Sequence, residues 1–181
     1  MTSTPTRSPA RSSRMLVPLL AGALVSVALG VYGSRHKGDS IVFRVSGFEN
    51  LIEVKSWMAL AAGVLAVVQL GSALIMYGKI KAIRPPSWIG ILHRWSGRLA
   101  FFIAVPVGVF CLYGIGFQAY DARVLVHSLL GCLLFGVFTV KMLVLTKPGL
   151  SGWILPVAGG AVFTILVGAV LTSAAWYFSA H

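Results

Sequence analysis

The chain has 181 residues, 57% of them hydrophobic and only 10% charged, with 15 lysines and arginines against four acids. Soluble domains carry roughly a quarter of their residues as charges, so this composition excludes a water-facing surface over most of the molecule. The net charge of +11 does not point to nucleic acid, because the basic residues gather at the ends of apolar runs and form no single stripe, the pattern of a protein that meets membrane surfaces.

Residues 1–14 are a Ser/Thr/Pro/Arg-rich tail expected to be disordered. The first apolar run, residues 15–33 ("MLVPLLAGALVSVALGVYG"), is long enough to cross a ~30 Å hydrocarbon core. Its length favours an uncleaved anchor over a signal peptide, although the basic flank and small residues suit either. A second span is expected over 57–78, with Trp57 and Tyr77 at its two interfaces. "RPPS" is a helix-stopping segment, and beyond it a third span runs from about residue 91 to 117, with Pro106 expected to kink it. The fourth covers 123–145 and the fifth 153–178, again with aromatic ends. Residues 15–178 thus form one all-α integral membrane domain of five transmembrane helices, with no room for a soluble catalytic domain.

Five spans put the termini on opposite sides. Arg7, Arg11, Arg14, Lys79, Lys81, Arg84, Arg94, Arg98, Lys141 and Lys147 belong to the N-terminal side. The remaining five basic residues and all four acids belong to the other. The positive-inside rule then places the N-terminus inside and the C-terminus outside, in the cell membrane. In the external loop 34–56, "FENLIEVKS" sets Phe48, Leu51 and Ile52 on one helical face and Glu49 and Glu53 on another, which predicts a short interfacial helix.

Helices in lipid associate through small residues that permit close approach. Gly160, Thr164, Gly168 and Thr172 form such a stripe on the fifth span, and Ser128, Cys132 and Gly136 form one on the fourth. Beside it on the fourth lie His127, Gly131, Phe135 and Thr139. Cys111 and Cys132 fall at similar depth, so a bridge is geometrically open, while two small packing residues are the simpler account.

The candidate chemistry lies in the four histidines, His36, His93, His127 and His181. Bis-histidine ligation of haem b by His93 and His127 is opposed by geometry. They start neighbouring antiparallel helices from opposite ends, on the order of 25 Å apart at ~1.5 Å rise per residue. For His127, Met58 enters from the same side and offers a thioether, a known partner of histidine on haem iron, and Gly131 one turn away leaves room for a flat macrocycle. Tyr113 is a less usual ligand, and His36 and His181 lie in external segments. The alternative is a His127 that only hydrogen-bonds across the bundle. His93 sits in "LHRWSGRLAFF" with Arg94, Trp95 and Arg98, a composition suited to anionic headgroups or, alternatively, to haem propionates.

"LHRWSGRLAFF", Pro106, "CLYGIGFQ", "RVLVHSLLGC", "VKMLVLTKPGLSGWILPVAGG" and "LTSAAWYF" resemble a family of small actinobacterial membrane proteins of unknown function, itself similar to cytochrome b561 and ferric-reductase bundles. The resemblance spans roughly residues 55–178. It implies haem held by histidines on neighbouring helices, including one near the position of Phe110, which here cannot ligate iron.

Two functions are expected. The first is a haem-b-binding electron-transfer subunit of b561-like type, with His127, Met58, His93, Arg94 and Arg98 as cofactor-binding residues, His127 on the iron, and another membrane redox subunit as partner. The second is a non-catalytic scaffold or accessory subunit of a larger membrane complex. A transporter is a weaker third, since Gln69 is the principal polar group deep in the second span and no charge occupies the midplane. No catalytic constellation of an enzyme is present.

Overall fold

The computed structural model describes residues 10–36, 38 and 50–180. Five helices among them are long and apolar enough to cross a membrane, as lipid demands when every backbone polar group must be satisfied within its own segment. They are α1 (Ala10–Arg35), α2 (Leu51–Met76), α3 (Ile89–Val109), α4 (Ala122–Leu145) and α5 (Ile154–Val170). α3 continues as a π-helical turn over Phe110–Ile115, and α5 as another over Leu171–Ala175 before the short α6 (Trp176–Ala180).

The helix boundaries have local causes. Asn50 caps α2 by accepting from the Glu53 amide at 2.9 Å, and Asp121 caps α4 through the Val124 amide at 2.7 Å. α2 ends in a Schellman turn: the Gly78 amide bonds the Ile75 carbonyl and Lys79 the Leu74 carbonyl, with Gly78 at φ 64°. Two expectations are corrected here. α2 begins at Leu51, so Leu51 and Ile52 belong to the span itself and not to a separate interfacial helix, because Asn50 starts a helix that nothing interrupts before Trp57. Phe48 and Glu49 lie outside the described residues. α1 begins at Ala10, inside the segment expected to be a disordered tail.

α1 packs on α4, α4 on α5, and α2 on both α3 and α5, while the π turn of α3 reaches back to α1. The helices therefore form a ring that closes at the end where α1 finishes. Small residues set the closest approaches. A Cβ at Gly136 would collide with the Ser26 side chain and the Gly22 carbonyl, and one at Gly22 would collide with Val140 and the Gly136 carbonyl. Of the Ser128–Cys132–Gly136 stripe, Gly136 and Cys132 thus face α1, whereas Ser128 bonds the Gln118 backbone beyond α3. The stripe on α5 divides: Gly168 lies against Leu130 on α4, whereas Gly160 and Thr164 are exposed. Ala59, Ala62 and Ala66 on α2, Ala104 on α3, and Leu134, Leu166, Val170 and Ala174 form the common core.

Candidate functional site

At the closed end, α2, α3, α4 and α5 surround a cavity of about 430 Å³, within the size range of small-molecule sites. Its inner part is apolar, with Ala62, Ala104, Leu134, Leu166 and Val170. Its rim is polar and cationic, with Lys55, Ser56, Arg123, His127, Ser128 and Thr172.

His127 is one turn into α4. Its Nδ1 lies 3.2 Å from the Ala169 carbonyl and 3.2 Å from Thr172 Oγ1 on α5. A carbonyl only accepts, so Nδ1 carries the proton. Thr172 agrees with this: its hydroxyl donates to the Gly168 carbonyl at 2.8 Å, which leaves an oxygen lone pair facing His127. Nε2 is therefore the lone-pair nitrogen of a residue on the cavity wall. A histidine whose other nitrogen donates to a backbone carbonyl is the arrangement that fixes an imidazole as a metal ligand. A Cβ at Gly131, one turn further along, would meet nothing within 4 Å. The space beside His127 is open, as the spacing of the two residues predicts.

Both π turns border this cavity. In α5 the wider turn leaves the Thr172 carbonyl to accept from Arg123 Nη1 at 2.8 Å. The Arg123 guanidinium lies over Trp176, 3.8 Å from the ring centre, and 3.8 Å from the Asp121 carboxylate. In α3 the turn brings Cys111, Leu112 and Ile115 to the wall. Lys55 on α2 and Cys111 line the same cavity. Cys111 and Cys132 both line the cavity, and both are free thiols. The loop beyond α3 is pinned to α4 by paired bonds: Gln118 N donates to Ser128 Oγ at 3.2 Å, and Ser128 Oγ donates to the Gln118 carbonyl at 2.9 Å.

The other expected site residues fall elsewhere. Met58 is half-buried but off the wall, because α2 presents Ile52, Lys55, Ser56, Ala59 and Ala62 to the cavity and Met58, at ~100° per residue, falls outside the arc those positions span. Phe110 is off the wall as well, next to Cys111, which is on it. His36 is not in a loose external segment: it closes the last turn of α1 through its amide and the Tyr32 carbonyl at 2.9 Å, and its ring stacks between Tyr32 and Tyr113. His181 lies outside the described residues.

His93 is at the opposite end of the bundle. Its Nδ1 is 2.9 Å from Ser72 Oγ, and its carbonyl accepts from the Gln69 amide, which also donates to Ser96 Oγ at 2.7 Å. These bonds tie α3 to α2 and account for the polar Gln69. Arg94 and Arg98 are exposed beside them and away from the cavity. Among the described residues no group of three His, Cys, Asp or Glu side chains is placed to hold a metal ion.

Sequence reading missed Lys55 and Arg123 as cavity residues, because each was weighed only as a topological charge. The signal was there for Lys55, which shares a helical face with the small residues Ser56, Ala59 and Ala62.

A closed ring of apolar helices around a rim-charged cavity defines a multi-pass helical membrane protein. The chain belongs to a family of unknown function (DUF6529), which it matches over residues 15–181. No curated protein and no solved structure matches it.

Proposed function

We propose that this protein is a haem-b-binding electron-transfer component, with the cavity beside His127 as the haem site. One observation carries the proposal: His127 stands on the wall of a cavity of about 430 Å³ with Nδ1–H committed to Ala169 and Thr172, so that Nε2 is the free lone pair. Haem b in such a site supplies one-electron chemistry between ferrous and ferric iron. The chain's own residues bind and orient. His127 would hold the iron through Nε2, Gly131 would leave space for the ring, and Lys55 and Arg123 on the rim would offer cations to the propionate carboxylates. Met58, Arg94, Arg98 and His93 have no part in this site. A second membrane redox subunit is the partner, and the charge asymmetry supports an inside N-terminus in the cell membrane.

A second reading is a non-catalytic accessory subunit of a larger membrane complex. It is favoured by the cavity having, among the described residues, a single histidine on its wall, with Met58 and Phe110 both off it. Visible spectra of the detergent-purified protein, oxidised and dithionite-reduced, separate the two. The haem reading expects a Soret band that shifts on reduction, lost in His127→Ala and kept in His93→Ala. A folded protein that stays colourless after haem supplementation during expression overturns it in favour of the accessory subunit.

A further inference from the structure

The Arg94–Trp95–Arg98 face of α3 lies outside the cavity, and its exposure is enforced by the packing behind it. His93 and Ser96 are held toward α2 by Ser72 and Gln69. With ~100° between successive residues, Arg94 and Arg98 then emerge about 40° apart on the side away from α2. Both are exposed, as is Trp95 at 56% of its surface. The Arg98 guanidinium lies 5.2 Å from the centre of the Trp95 ring. Such stacking braces a guanidinium while leaving its donor edge free. The two described acids, Glu53 and Asp121, belong to the opposite end of the bundle, so neither arginine has a carboxylate partner among the described residues. One turn deeper, Leu99 and Phe102 are exposed, Phe102 at 70%. Lys79, Lys81 and Arg84 in the preceding loop are exposed at the same end.

We propose that Arg94 and Arg98 clamp the phosphate of an anionic phospholipid, with Trp95 at headgroup depth and an acyl chain along Leu99 and Phe102. Two guanidinium forks one helical turn apart match the several acceptor oxygens of one phosphate, and no carboxylate among the described residues competes for them. The apolar continuation of the same face is what separates a lipid from a soluble phosphate. An acidic membrane protein would satisfy the arginines but leave the match to an acyl chain without purpose.

The test uses the full-length protein purified in mild detergent, offered equal amounts of phosphatidylglycerol and phosphatidylcholine. The lipids retained after washing are then quantified by mass spectrometry. Wild type is expected to retain phosphatidylglycerol about tenfold over phosphatidylcholine, given the attraction each basic side chain exerts on anionic lipid. R94Q/R98Q is expected to abolish most of that preference, whereas K79Q/K81Q keeps most of it. Should R94Q/R98Q fail to fold, R94K/R98K decides: charge is kept but the fork is lost, and the preference is expected to fall severalfold. Equal retention of the two lipids by wild type overturns the proposal. So does an undiminished preference in the folded arginine variant, or displacement of the lipid by millimolar inorganic phosphate.

Discussion

Thr172 on α5 faces His127 on α4 at 3.2 Å, with its own hydroxyl hydrogen committed to the Gly168 carbonyl at 2.8 Å. The threonine is thereby restricted to accepting, and the histidine to donating from Nδ1. Because the Ala169 carbonyl makes the same demand, the histidine tautomer is set twice over. Thr172→Val keeps the shape and removes one acceptor, so it is expected to cost about 0.5–1.5 kcal/mol of bundle stability. Thr172→Ser is expected to restore most of it. Unfolding of the detergent-solubilised protein by titrated SDS measures both; equal stability of all three proteins would remove Thr172 from the account of His127.

Gly136 and Gly131 stand five residues apart on α4 in opposite circumstances. Gly136→Val has no space against Ser26 and Gly22, and overpacking there is expected to cost about 1–3 kcal/mol and to loosen α1 from α4. Gly131→Ala meets nothing within 4 Å and is expected to change stability by no more than about 0.5 kcal/mol. A reversed order in the same SDS titration would place the α1–α4 contact elsewhere.

Gly131→Phe separates the cavity's role from the bundle's stability. The ring enters open space, so the protein is expected to remain folded and monodisperse by size-exclusion chromatography. If the cavity holds haem, occupancy is expected to fall at least about tenfold, equivalent to ~1.4 kcal/mol of binding, read from the Soret absorbance per protein. Full occupancy in this variant would put the cofactor somewhere other than beside His127.

Gln69 joins α2 to α3 by donating to both the His93 carbonyl and Ser96 Oγ. Gln69→Leu removes those donors at a site where a hydrogen bond between membrane helices is worth about 0.6 kcal/mol on average and up to about 1.7. A loss of roughly 1 kcal/mol is expected, with the His127 cavity unaffected. A change in any ligand spectrum without a change in stability would contradict a purely structural role for Gln69.

Arg123→Ala frees the Thr172 carbonyl and removes the stack on Trp176. A loss of about 1–2 kcal/mol is expected. Arg123→Lys keeps the charge but not the fork, and is expected to recover less than half of that. Complete recovery by lysine would mean that charge alone matters at this position.

The membrane class, the number of spans and the small-residue stripes were legible in the chain itself, because each is a local property. Some twenty apolar residues in a row admit few structures in lipid, and Ser128, Cys132 and Gly136 share a face whatever their neighbour. His127 beside an open Gly131 was legible for the same reason. Tertiary structure decided which ligand-type side chains share a wall. Met58 and Lys55 enter the membrane on the same helix, but the rotation set by packing α2 on α3 and α5 sends Lys55 to the cavity and leaves Met58 off it. Tyr32 and Tyr113 hold His36 only because the end of α3 comes back to α1. The two π turns break the helical phase that sequence counting assumes, since each inserts a residue and rotates the next turn of chain relative to a regular helix. Helix rotation and phase are long-range outcomes of packing, and no window of sequence contains them.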